Sequence, residues 1–122
     1  MTFLNRNRNR TSADDLSDRA VMNALIFLCV ESFQKAGHIG ATRGQIYDHV
    51  WPAMADLYRP FDEKEFGAQL TGLLHMNILS IRPTTLQFRI CGTPGRGLAS
   101  AIALVRPVNF RISPAEEGAG HA

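Results

Sequence analysis

The chain has 122 residues, 45% of them hydrophobic and 20% charged, with a net charge of +2. That length suits one domain with its own hydrophobic core, and the composition is that of an ordinary globular protein without a disulfide framework. The longest apolar stretch, residues 20–30, is about half of the roughly 20 residues a membrane span needs, and the start Met1-Thr2-Phe3-Leu4 has no apolar signal-peptide core. A cytoplasmic protein away from the membrane is therefore expected.

Residues 1–12 read as a disordered basic arm carrying Arg6, Arg8 and Arg10, because alternating Asn and Arg bury too little apolar area to offset the entropy of ordering. The folded domain is expected over 13–112, with 113–122 as a solvated tail. A first helix is predicted from about Asp14 to Ala36. Ser12 or Asp14 would cap it, and Gly37 would stop it as a left-handed residue past its end. Leu16, Val21, Ala24, Leu25 and Leu28 keep helical spacing, while Ile26, Phe27 and Val30 add apolar surface on other sides. A helix greasy on several faces is central to a core or lies in an interface.

A second helix is predicted from Thr42. Thr42-Arg43-Gly44-Gln45 has the capping-box spacing, Ile46 and Val50 form its inner stripe, and Pro52 should end it. Residues 52–61 then form a long connection. The third helix opens at Asp62, where Asp62-Glu63-Lys64-Glu65 is a second capping-box pattern. Phe66, Leu70, Leu73 and Leu74 make one apolar face, and Asn77 suits the left-handed exit. Two short runs follow, Ile78–Arg82 and Leu86–Ile90. In the second, Leu86, Phe88 and Ile90 alternate with Gln87 and Arg89, which predicts a β-hairpin turning at Pro83-Thr84-Thr85. After a glycine-rich loop, Leu98, Ala101, Ile102 and Val105 predict a short fourth helix closed by Pro107. Val108, Phe110 and Ile112 then read as a last strand or an extended docked segment. Cys29 and Cys91 both stand among apolar residues and are expected as buried, reduced thiols.

Charge is unevenly placed. Residues 13–77 carry nine acids against five bases, whereas residues 78–112 carry Arg82, Arg89, Arg96, Arg106 and Arg111 and no acid. Such sorting of positive charge points to a polyanionic partner.

The fold class expected is mainly α with a small antiparallel β-hairpin, in the order α-α-α-β-β, plus a short C-terminal helix. This order over residues 16–91 resembles the winged helix-turn-helix superfamily of DNA-binding proteins. The run Phe66-Gly67-Ala68-Gln69-Leu70-Thr71-Gly72-Leu73-Leu74-His75-Met76-Asn77-Ile78-Leu79 is similar to that family's recognition helix and its passage into the wing. The family usually has Gly where Asn77 stands, and the connection from Pro52 to Phe61 is longer than a simple helix-turn-helix turn.

The resemblance implies a regulator of transcription that binds double-stranded DNA with the third helix in the major groove and the hairpin on the flanking backbone. Lys64, Gln69, Thr71 and His75 would contact the groove from the third helix, with Gln69 able to pair with adenine. Arg82, Thr84 and Arg89 would hold the wing to phosphates, Arg43 would clamp backbone, and the arm with Arg6, Arg8 and Arg10 would enter a minor groove. A homodimer is expected, with its seam on the first helix and residues 98–105. The alternative is a winged-helix module that docks another protein instead of DNA.

Chemistry leaves little trace. His38, His49, His75 and His121 lack metal-ligand spacing, the glycine-rich loop lacks the Lys-Ser/Thr of a phosphate loop, and each acid cluster sits at a helix start. Neither a cofactor nor catalysis is expected.

Overall fold

The computed structural model describes residues 15–115, so the arm residues Arg6, Arg8 and Arg10 lie outside the described residues. The elements in chain order are α1 (Asp18–Lys35), β1 (Ala41–Thr42), α2 (Arg43–Asp56), α3 (Glu63–His75), β2 (Leu79–Ile81), β3 (Gln87–Ile90) and α4 (Arg96–Val105). The fold is thus mainly helical, with a three-stranded antiparallel sheet in the order β1-β3-β2.

Helix α1 starts four residues later than its acids suggest. Ser17 is the cap, and its side chain accepts from the Ala20 N–H. Ten residues of α1 are buried, from Val21 to Phe33, and they occupy every side of the helix. It is the central post of the core. Helices α2, α3 and α4 and strand β3 all pack on it, α4 most extensively. The surface expected to form a dimer seam is consumed by this packing. Ile102 and Val105 are buried and Leu98 packs against the same cluster. The seam is corrected accordingly: the apolar faces of α1 and α4 complete one core and are not available to a second chain.

Three helices end alike. Past α1, α2 and α3, Gly37, Tyr58 and Asn77 take left-handed backbone, with φ of 98°, 57° and 59°. In each, the next N–H returns to a carbonyl three residues inside the helix end: His38 to Phe33, Arg59 to Met54 and Ile78 to Leu73. These are Schellman closures, in which Gly or Asn costs least and Tyr costs most.

Helix α2 does not stop at Pro52. It continues to Asp56 because Ala53 and Met54 are buried against the core and hold the last turn helical. Pro52 supplies no N–H for the Asp48 carbonyl, and Asp48 lies on the exposed side of the helix. The connection to α3 shortens to Leu57–Asp62. Arg59 ties it down, donating from Nη1 to the Leu16 carbonyl at 2.6 Å and to Asp18 Oδ1 at 2.8 Å. The rings of Tyr47, Phe61 and Phe66, with centroids 5.4 to 5.8 Å apart, fix α2 against α3.

The sheet has one strand more than the hairpin alone. Ala41 pairs with Phe88 and Thr42 with Gln87, while Leu79, Ser80 and Ile81 pair with Ile90, Arg89 and Phe88. Leu79, Phe88 and Ala41 are buried on the inner face. Leu86 departs from the alternation. It belongs to the turn, with φ of 56° and its N–H on the Arg82 carbonyl, and is 60% exposed. The segment after α4 is an extended dock rather than a strand. Val108, Phe110 and Ile112 pack on the core, and the Ala115 N–H reaches the Ala36 carbonyl at 2.9 Å.

Candidate nucleic-acid interface

Helix α3 presents its apolar stripe inward through Phe66, Leu70 and Leu73, so the opposite stripe is open. Lys64, Ala68, Thr71 and His75 recur there at steps of four, three and four, and all are exposed. Asp62 caps the helix by accepting from the Lys64 N–H. The expected second half of the capping box is absent, because Glu65 turns elsewhere. It pairs with Arg19 at 3.2 Å and accepts a hydrogen bond from Gln69. Gln69 is therefore half-buried and engaged, unlike its neighbours Thr71 and His75 on the open stripe.

Arg43, the first residue of α2, lies beside this stripe. Its guanidinium stands 5.3 Å from the centre of the Phe66 ring, and a Cβ on Gly67 would be 3.2 Å from its Nη1. Gly67 thus makes room for the arginine, which stacks on the aromatic face. Gly72 has no such reason, since nothing lies within 4 Å of where its side chain would be. The capping box at Thr42 is complete, with the Thr42 and Gln45 side chains each satisfying the other's backbone N–H. No acid stands in the first turn of α2.

On the hairpin, register decides which way the arginines face. Arg89 pairs with Ser80, on the side of the sheet opposite Phe88, and its Cβ lies 3.4 Å from the position a Gly40 Cβ would occupy. Arg82 donates its N–H to the Gln87 carbonyl, and it stands two residues beyond Ser80, the partner of Arg89, so pleating puts it on the outer face with Arg89. Thr84 is exposed at the tip. The tip closes over the start of α2, where Thr42, Arg43 and Gly44 meet Ile81, Thr85 and Leu86 around an apolar cleft of about 390 Å³. The structure therefore places Arg43 between the hairpin tip and α3, whose open stripe carries Lys64, Thr71 and His75. It sets Arg82 and Arg89 on the sheet's outer face.

Cations divide by partner. Arg19, Lys35, Arg59 and Arg106 pair with Glu65, Glu31, Asp18 and Glu31 respectively. Arg43, Lys64, Arg82, Arg89, Arg96 and Arg111 form no ion pair among the described residues. The cysteines differ from expectation. Cys29 is buried, and desolvation pushes its thiol up to about 12. Cys91 is exposed and donates from Sγ to the Asn77 carbonyl. Cys91 stands just past the end of β3, where its N–H still reaches the Ile78 carbonyl. Among the described residues no group of three or more His, Cys, Asp or Glu could hold a metal ion, and no helix is long and apolar enough to cross a membrane.

Comparison with known protein families, with curated proteins and with solved structures finds no match to this chain.

Proposed function

We propose that the protein is a winged-helix DNA-binding regulator that acts by binding rather than catalysis. The observation that carries this reading is the division of the cations. Arg43, Lys64, Arg82 and Arg89, carried by the start of α2, the open stripe of α3 and the hairpin, form no ion pair among the described residues, while Arg19, Lys35, Arg59 and Arg106 pair with carboxylates, Arg19 with Glu65 at the start of α3 itself. An arginine left without a counter-charge keeps its forked donors for phosphate. Support comes also from the element order, in which three helices precede a hairpin, and from small residues Ala68 and Gly72 on α3, which let a helix approach a groove closely.

On this reading α3 lies in the major groove, Thr71 and His75 face base edges, and Lys64 and Arg43 hold phosphates. Arg82, Thr84 and Arg89 secure the flanking backbone. Gln69 must leave Glu65 before it can pair with adenine. The test is fluorescence polarisation of labelled duplex DNA titrated between about 50 and 200 mM salt. The double substitution Arg82→Ala with Arg89→Ala should weaken binding and flatten the log–log salt slope by about 2, since each lost phosphate contact removes about 0.9. Unchanged affinity and slope would reject the wing assignment.

A second reading, a winged-helix module that docks protein, draws on Trp51 and Tyr58. Trp51 stands on the exposed side of α2 and Tyr58 just past its end, with exposures of 46% and 96%. Absence of DNA binding at low salt by the full chain would favour it.

A further inference from the structure

A second cleft lies between the end of α1, the first two turns of α2 and the C-terminal stretch. It is an open cleft of about 270 Å³, the size of a small metabolite rather than a drug-sized ligand. Phe33 forms its apolar wall, and the rings of His38 and His49 stand edge-on to Phe33 at 5.3 and 5.4 Å. His38 Nε2 lies 2.7 Å from the Ser113 carbonyl oxygen and His49 Nδ1 2.8 Å from the Gln45 carbonyl oxygen. A carbonyl only accepts, so these nitrogens carry the protons. In the neutral rings, His38 Nδ1 and His49 Nε2 are then left as acceptors. Asp48 and Arg111 line the same cleft. Each is charged, yet neither forms an ion pair with the other or with any described residue.

A cleft with a carboxylate and two imidazole acceptors, and a guanidinium that is not joined to that carboxylate, suits a molecule bearing both charges. We propose that it binds a small zwitterion of the α-amino-acid class. Asp48 and the free imidazole nitrogens take the ammonium group, and Arg111 takes the carboxylate through its paired donors. The ligand's side chain lies against Phe33. A bound molecule would bridge α2 to the C-terminal stretch, which Ser113 and Ala115 already fasten to the end of α1.

The test is isothermal titration calorimetry of the full chain with each free L-amino acid at millimolar concentration. Alongside each go its N-acetyl derivative, which lacks the ammonium, and its amide, which lacks the carboxylate. At least one free amino acid should bind, and both derivatives should fail. Asp48→Asn and Arg111→Gln should each weaken binding by about tenfold or more, the scale of a lost charge-assisted hydrogen bond. Circular dichroism and thermal melting of the two variants, both changed at exposed positions, establish that they are folded. Absence of binding by every amino acid overturns the proposal. So does a derivative that binds as well as its parent, or binding that persists at full strength in both folded variants.

Discussion

Replacing Gly40 with alanine tests how the third strand is held. Gly40 is buried and precedes β1. A Cβ built there would stand 2.2 Å from the Phe88 carbonyl oxygen and 2.9 Å from its carbon, against the 3.0 Å below which such contacts essentially never occur. The obstacle is backbone, so no side-chain rotation relieves it, and β1 must move from β3 by nearly an ångström. Overpacking of this kind costs about 1–3 kcal/mol. Loosening the Ala41–Phe88 and Thr42–Gln87 pairings forfeits hydrogen bonds worth about 1 kcal/mol each. The expected loss is about 2–4 kcal/mol, read as a lower midpoint in urea unfolding followed by circular dichroism. Gly72→Ala is the matched control. It adds a methyl group within helix α3 where nothing lies within 4 Å, and should stabilise by about 0.5–1 kcal/mol. A Gly40→Ala midpoint indistinguishable from that of the parent would refute the close approach of β1 to β3.

Ile102→Ala should cost about 2–5 kcal/mol in the same assay at every protein concentration, because Ile102 is buried within the chain; a loss that shrinks on dilution would revive the intermolecular seam. Tyr58→Gly should raise stability by about 1 kcal/mol, since the left-handed backbone strains an L side chain and Tyr58 is 96% exposed with no packing to lose; a drop in midpoint would mean that the ring is held by something in the chain. Cys91 should react with a thiol reagent in the native protein while Cys29 reacts only on unfolding. Burial raises the Cys29 thiol from 9.0 to about 12, so the folded state keeps a proton that the unfolded chain releases. Its contribution is intact below pH 9 and declines between pH 9 and 12, by on the order of 1 kcal/mol at pH 10. The decline should vanish in Cys29→Ala; equal pH dependence of the two proteins would contradict a neutral buried thiol.

Features set by neighbours along the chain were legible before the fold was known. Asp62 and Thr42 cap because their oxygens reach N–H groups two or three residues on, and Asn77 exits left-handed for the same local reason. The stripe of Phe66, Leu70 and Leu73 follows from helical spacing alone. What escaped detection depended on partners far off in sequence. Strand β1 is two residues long and carries no alternation of its own. It exists because Phe88 and Gln87 lie beside it. Neither Gly40 nor Gly92 looked special, yet a Cβ on either would collide at 2.2 Å with a carbonyl oxygen from elsewhere in the chain. Pro52 was misleading because burial of Ala53 and Met54 outweighs one missing helical hydrogen bond.

The candidate interface divides in the same way. Composition marked the arginines of the hairpin and pattern marked the exposed positions of α3. Nothing in the order of residues revealed that Phe66 would carry Arg43 or that Glu65 would occupy Gln69. The second cleft was equally hidden, since His38 and Ser113 are 75 positions apart.

The all-round burial of α1 bears on how the chain matures during synthesis. Glu31 meets Arg106, a partner 75 positions later, and α4 covers the same helix only after the hairpin has been made. At about 5–20 residues per second, translation leaves the oiliest segment waiting several seconds for its cover. A ribosome-associated chaperone would find its binding site there, and stalling ahead of Arg96 should leave a nascent chain that is protease-sensitive along its first helix.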